Sequence, residues 1–308
     1  MRAIRLAILP LYLFHIGTGH AAETDQYLVW GVELNDSADA VNAWLNVELE
    51  TFLSEANSGG KSYDSSDAVA IGFMRHVFTV RPFAHINKLY DSGELDEFPP
   101  RNSVNFYEYQ KMSIYRGPAF PFVLFMARTI RIGDVYLGID KLSHFFGFGR
   151  RYFVDYLDLE RRGLSEKEIE RRLIENGLGR ELWFTGRAIN GVISPSDLEA
   201  NYQGLRFALS VSRGPDPLLV RENGKWVQTR PIDIVPYITP YMDESYYHNS
   251  YWAARKRQVL PIIAAEYDGL EQSPIVRARF ETYDSYTPSF NVQCVDELMQ
   301  DGDPPVEP

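Results

Sequence analysis

The sequence predicts a mainly α (α+β) fold: a single helical domain with small β-hairpins. Three observations carry that reading. Apolar residues recur at helical spacing through most long segments, short alternating runs flank Gly-Asp and Asn-Gly pairs, and no repeat or low-complexity linker divides the chain. The 308 residues are enough for one well-filled core.

The first segment reads as separate from that fold. Arg2 and Arg5 precede the apolar run LAILPLYLF and the small-residue stretch GTGHAA, the order of a secretory signal cleaved near Ala21 or Ala22. The apolar run is about ten residues, short of the roughly 20 that cross a bilayer. A later run, GPAFPFVLFMARTI, is interrupted by Arg128. The expected division is therefore a signal peptide at 1–22, the helical domain at 23–295 and a disordered, acidic, Pro-rich tail at 296–308. The expected location is periplasmic or secreted, with no transmembrane segment in the mature chain.

Within the domain, Val41, Trp44, Leu45, Leu49, Phe52 and Leu53 share a helix face from Ser37 to Ala56, and Asn57 to Gly60 end it. A second helix starts near Ser66 and carries Val69, Phe73, Val77 and Val80 before Pro82. PFAHINKLYDSG gives a short third that opens on proline. His76 and His85 in these segments read as packed or surface histidines. Gly93 to Pro121 has no sustained period and reads as a long surface connection. TIRIGDVYLGI alternates about Gly133-Asp134, a hairpin signal. SEKEIERRLIENG then has Ser165 and Glu168 in capping-box positions and Gly177 as the stop. Ser194 caps and Pro195 opens the helix SPSDLEANYQGLRFALSV. LLVRENGKWVQ is a hairpin about Asn223-Gly224, and YYHNSYWAARKRQVLPIIAAEY is helical on both sides of Pro261.

Composition narrows the partners. The net charge of -11 falls to about -13 without the leader, which argues against a nucleic-acid partner, since phosphate binding needs a basic patch. The single cysteine, Cys294, forms no internal disulfide and reads as a small apolar residue. There is no H-E-x-x-H, G-x-S-x-G, P-loop or CxxC, and the histidines are scattered, so neither a metal set nor a cofactor is expected.

The chemistry-bearing segment is GIDKLSHFFGFGRRYF, Gly138 to Phe153. At about 100° per residue, Leu142, Phe145, Phe146, Gly149, Phe153 and Tyr156 share one side, and Asp140, His144, Gly147, Arg151 and Asp155 the other. Asp140 can serve as the helix N-cap, orient His144 one turn on, or do both. Gly147 is costly in a helix and leaves room beside His144 for another backbone or a ligand. In the Ser194 helix, Asp197, Asn201, Gly204 and Ala208 form a small and polar ridge between apolar stripes. This ridge is expected to face His144, because a buried Asn needs hydrogen-bond partners. Farther on, ESYYHNSYW surrounds His248 with aromatic rings, a composition suited to a sugar or lipid headgroup.

GIDKLSHFFGFG resembles the Gly-x-Asp-Lys-Leu-x-His-Phe segment of uncharacterised secreted proteobacterial proteins and, more distantly, the Asp-Lys-x-x-His helix of YfiM-like and VanZ-like envelope families. DLEANYQGLRF is similar to a second signature of the same secreted group. The resemblance covers about a tenth of the chain. It falls on Asp140, Lys141 and His144 in one segment and Asp197, Asn201, Tyr202 and Gly204 in the other. It implies a cell-envelope setting and no particular activity.

Two functions follow as expectations. In the first, the chain is an exported hydrolase acting on an envelope glycan or lipid, with catalytic residues Asp140, Lys141, His144, Asp197 and Asn201. His144 is the general base, Asp140 orients it, and Asn201 or Lys141 stabilises developing charge. Tyr202, Tyr247, His248 and Trp252 bind substrate. A metal-dependent form would add His248 to Asp140 and His144. In the second, the chain is a non-catalytic structural or binding protein whose polar residues form an interhelical hydrogen-bond network. A closed His144–Asn201 contact favours the network, and an open pocket at both favours the enzyme.

Overall fold

The computed structural model describes residues 22–59, 63–78, 85–119, 123, 125–183 and 190–300. The expected signal peptide lies almost wholly outside them. The fold is mainly helical with small sheets, as the periodicity predicts, and no described helix is long and apolar enough to cross a membrane.

Strand β1 (Ala22–Thr24) pairs in parallel with β3 (Phe125–Ala127). Helix α1 (Ala38–Asn57) buries Val41, Leu45, Leu49 and Phe52 on the predicted stripe. α2 (Ser66–Val77) is capped by Ser65, whose hydroxyl accepts from the Ala68 amide. α3 (Ile86–Ser92) ends at Gly93 with φ 78°. The long connection is more ordered than its lack of period implied. It contains β2 (Glu97–Phe98) and α4 (Phe106–Met112), the latter held by an Asn105–Glu108 capping box. Tyr109 and Tyr115 in that stretch are buried, so it belongs to the body of the fold.

The hairpin of β4 (Thr129–Ile132) and β5 (Val135–Gly138) turns at Gly133-Asp134, and β2 adds to its edge. It leads directly into one continuous helical rod. This begins as α5 (Asp140–Ser143), passes through a π turn (His144–Phe148) and continues as α6 (Gly149–Arg161).

α7 (Glu166–Trp183) runs through Gly177, which was expected to stop it. A Cβ on Gly177 would lie 1.7 Å from the Tyr152 hydroxyl. That glycine therefore admits a neighbouring side chain and ends nothing. β6 (Val192–Ile193) precedes α8 (Pro195–Ser212), where Ser194 accepts from the Asp197 amide at 3.2 Å as the cap spacing predicts.

β7 (Leu219–Glu222) and β8 (Lys225–Gln228) form the second predicted hairpin, with Asn223 and Gly224 at positive φ. β9 (Ser250–Tyr251) pairs with β6, and α9 (Ala253–Glu266) passes through Pro261. α10 (Pro274–Tyr283) and α11 (Phe290–Gln300) close the described chain. α11 extends five residues into the segment expected to be disordered, because Leu298 and Met299 pack on a satellite core and Asp296 accepts from the Tyr247 hydroxyl at 2.8 Å. Residues 301–308 lie outside the described residues.

α8 is the central helix, buried on nearly every side. It meets the α5–α6 rod at two glycines. A Cβ on Gly204 would come within 2.0 Å of the Phe145 carbonyl oxygen, and one on Gly149 within 2.6 Å of the Gly204 Cα. The clashes are with backbone, which cannot swing aside. The π turn supplies the register by inserting one extra residue between Phe145 and Gly149, which puts the glycine under the same helix as His144. A uniform helical wheel places Gly149 among the core phenylalanines and gives the close-approach role to Gly147; the structure gives that role to Gly149.

Gly204→Ala is expected to destabilise the fold by about 2 kcal/mol or more, since overpacking at a backbone contact forces the rod away from α8. Thermal unfolding checks this. A melting temperature equal to that of the unsubstituted chain would disprove the backbone contact.

Candidate functional site

Three chain segments bring charge to one buried point. The Lys141 ammonium lies 2.9 Å from Asp140 Oδ2, 2.7 Å from Asp197 Oδ1 and 2.6 Å from Glu244 Oε1. Its side chain is 1% exposed. Asp140 comes from the start of α5, Asp197 from the first turn of α8, and Glu244 from the loop before β9. Acidic residues at both helix starts also meet the positive ends of the helix dipoles.

Asp140 does not cap its helix. Ile139 occupies the cap position without a side-chain bond, and the Asp140 carboxylate instead accepts from Lys141 and, at 2.8 Å, from the Thr24 hydroxyl on β1. The lysine needs the carboxylate more than the amides do, because an unpaired buried ammonium costs several kcal/mol.

His144 is held on both sides by α8. Its Nδ1 lies 3.2 Å from Asn201 Oδ1 and its Nε2 lies 3.4 Å from Asp197 Oδ2, while its ring stacks on Phe148. The ridge of Asp197, Asn201 and Gly204 thus meets the His144 segment as the spacing predicts. Asp140 and His144 are interior, and the polar stripe emerges toward solvent from Gly147, half-buried in the π turn, to Arg151, which is exposed.

Sequence reasoning missed Glu244, Glu23, Asn190 and Asn249. Glu244 Oε1 also accepts from Ser194 Oγ at 3.1 Å, and its Oε2 accepts from Asn249 Nδ2 at 2.7 Å. Its backbone N–H donates to Gln26 Oε1. Glu23, next in β1 to the Thr24 that binds Asp140, accepts from Asn190 Nδ2 at 2.7 Å. The available signal was an acidic residue inside MDESYYHNSYW, a stretch otherwise notable for its aromatic rings.

One ammonium faces more negative charge than it balances. Burial works against the Lys141 cation, but Asp140, Asp197 and Glu244 outweigh it and raise its pKa, so the charge persists. Burial also pushes Asp197 up, yet His144 and Lys141 prevail and hold its carboxyl below the ordinary value. Glu244 goes the other way: burial raises it to about 7 despite Lys141, with Asp197 and Asp140 adding repulsion. Glu23 is raised well above the ordinary value by burial and by Glu244 and Asp197. The surplus is therefore taken up as protons. Nearby Asp25, which accepts from the Ile114 and Tyr27 amides, is also raised by burial to about 7.

The expected binding residues lie elsewhere. His248 is exposed and pairs with the Tyr27 hydroxyl at 3.2 Å, so it does not join Asp140 and His144 as a third ligand. Tyr247 bonds Asp296, and Trp252 is 42% exposed. Tyr202 donates to Glu170 Oε1 at 2.9 Å and lines a cavity of about 640 Å3 with Lys167, Arg206, Tyr237 and Phe290. A second cavity, of about 280 Å3, reaches Asp140 and Ser143 past Tyr90, Arg101 and Arg128. Asp140, His144 and Asp197 bring donor atoms within 4.8 Å of one another, as a metal site requires, but Lys141 already supplies the cation there.

No protein-family model matches the chain, and no curated protein or solved structure matches it either.

The raised carboxyls set the sign of the pH dependence. In the unfolded chain Glu244 and Asp25 ionise at ordinary carboxylate values, whereas in the folded chain they hold protons to about pH 7. The folded state then binds more protons, so their contribution to stability is fullest below the unfolded pKa and is lost as pH rises through about 7. Between about pH 5 and about pH 8, urea unfolding of Glu244→Gln is expected to give a shallower fall in stability than the unsubstituted chain. Identical slopes would rule out a proton on Glu244.

Proposed function

We propose that the chain is an exported cell-envelope protein that does no chemistry at His144, and that its central polar residues form an interhelical hydrogen-bond network. The observation that carries this reading is the placement of both His144 ring nitrogens against side chains of α8, Nδ1 hydrogen-bonded to Asn201 Oδ1 and Nε2 3.4 Å from Asp197 Oδ2, in a residue 5% exposed. A general base needs one nitrogen facing the proton it removes. Here Asn201 and Asp197 occupy those directions. The binding partner in this reading is an envelope glycan or lipid headgroup in the Tyr202 cavity, where Tyr237 and Phe290 offer apolar faces beside Lys167, Glu170 and Arg206.

A second reading, a hydrolase acting on an envelope glycan or lipid, is favoured by one separate observation. Asp140 and Ser143 border the 280 Å3 cleft that also holds Tyr90, Arg101 and Arg128. In that reading Asp140 rather than His144 meets the substrate, and Lys141, Asp197 and Glu244 form the charged support behind it.

The two are separated by stability and turnover measured on the same variants. His144→Ala and Asn201→Ala are each expected to lower stability by about 1–3 kcal/mol, and the double variant by less than their sum because the two share one bond. Purified envelope glycans and phospholipids are expected to pass unchanged. Turnover that drops about 100-fold in His144→Ala without a fall in melting temperature would overturn the network reading.

A further inference from the structure

We infer that Glu48, His76 and His85 form a binding site for a divalent transition metal ion of the Zn2+ type. The three residues come from separate elements: Glu48 from the buried face of α1, His76 from the last turn of α2, and His85 from the residue before α3. They converge on one point. Glu48 Oε2 lies 2.8 Å from His76 Nε2 and 2.6 Å from His85 Nδ1, and one donor atom from each lies within 4.8 Å of the others.

Ligand type and spacing both suit such an ion. Two imidazole nitrogens and one carboxylate oxygen favour Zn2+ and its neighbours over Mg2+ or Ca2+, which take oxygen. Ligands about 2.1 Å from a tetrahedral centre stand roughly 3.4 Å apart, so Oε2 has to withdraw by only about 0.7 Å, within reach of a carboxylate rotation.

Hydrogen bonding alone accounts for the cluster less well. Two rings with centroids 4.1 Å apart aim at a single oxygen, and the Lys88 ammonium lies 3.5 Å from the same His85 nitrogen. If that nitrogen donates to Glu48 it cannot also accept from Lys88. An ion would take the same lone pair and displace Lys88, whose side chain is 67% exposed.

The contrast with the Asp140 cluster is instructive. There a fully buried lysine sits among the donors and fills the cation position. Lys88 is 67% exposed and 4.0 Å from the Glu48 carboxylate, on a chain free to turn into solvent. The site also has access: the His85 side chain is 31% exposed, and His76 borders a cavity of about 490 Å3 with Phe52, Tyr63 and Arg75. Three protein ligands with an open side leave a coordination position for water or a ligand.

The test is Zn2+ titration of the chelator-stripped full chain, with bound metal counted by elemental analysis and melting temperature recorded with and without Zn2+. One Zn2+ per chain is expected, with a rise in melting temperature and no comparable response to Mg2+. Glu48→Gln and His85→Ala are expected to weaken binding by about tenfold or more and to abolish the zinc-dependent rise. Lys88→Ala, at a side chain 67% exposed, is expected to bind about fivefold tighter because it removes a charge that competes at Glu48 and His85. Substoichiometric zinc, or zinc bound with unchanged affinity in His85→Ala, would overturn the site.

Discussion

The Lys141 ammonium is the constraint on which the arrangement depends. A buried cation in a low-dielectric interior has to be matched by negative charge at contact distance, and Lys141 takes it from three places in the chain. Asp140 is its neighbour in sequence, but Asp197 and Glu244 are distant, so satisfying the lysine ties α5 to α8 and both to the loop before β9. Each carboxylate then needs its own donors. Thr24 on β1 serves Asp140, while Ser194 and Asn249 serve Glu244. The first strand and the helix caps are thereby fastened to the same point. Apolar residues of equal volume would often hold a core as firmly, so the cluster specifies an arrangement more than it adds stability.

Close packing supplies what charge alone does not. The lysine reaches Asp197 only if the α5–α6 rod lies almost in backbone contact with α8, and the paired absence of side chains at Gly149 and Gly204 permits that approach. The π turn between them reconciles two demands. Ahead of it, Lys141 and His144 reach Asp197 on α8; after it, Gly149 meets Gly204 of the same helix. Such a turn forfeits regular hydrogen-bond geometry over five residues, and the polar contacts of His144 with Asn201 and Asp197 lie at its first residue.

Local signals were legible in the sequence and distant convergence was not. The Ser194 cap, both hairpin turns and the α1 stripe each rest on spacing within about twenty residues; the pairing of the Asp197–Asn201–Gly204 ridge with the His144 segment, 57 residues apart at His144–Asn201, is the exception, reached by matching two local patterns. Where reading failed, a tertiary contact overrode a local rule. Gly177 carries the mark of a stop yet admits Tyr152, and Asp140 carries the mark of a cap yet serves Lys141. The ordered stretch around α4 has no period because it is short and held by its own capping box. Glu244 and Glu23 could not be tied to Lys141 from sequence, since nothing local distinguishes a buried glutamate from a surface one before its partner's position is known. The same holds for Glu48, His76 and His85, whose spacing of 28 and nine residues matches no compact ligand pattern.

The two polar clusters solve the problem of buried carboxylates in opposite ways, and this bears on where chemistry can occur. Around Lys141 the cation is covalently part of the chain and the excess negative charge is met by protons on Glu23 and Glu244. The two ring nitrogens of His144 face Asn201 and Asp197 there, at 3.2 Å and 3.4 Å. Asp140 lines the 280 Å3 cleft, beside Ser143 and the Tyr90 hydroxyl. A substrate entering by that cleft meets a carboxylate already accepting from a lysine and a threonine. Around Glu48 the cation among the described residues is Lys88, 67% exposed and 4.0 Å from the carboxylate, and the His85 side chain is 31% exposed. An exchangeable ion fits the second cluster on the same electrostatic grounds that exclude one from the first.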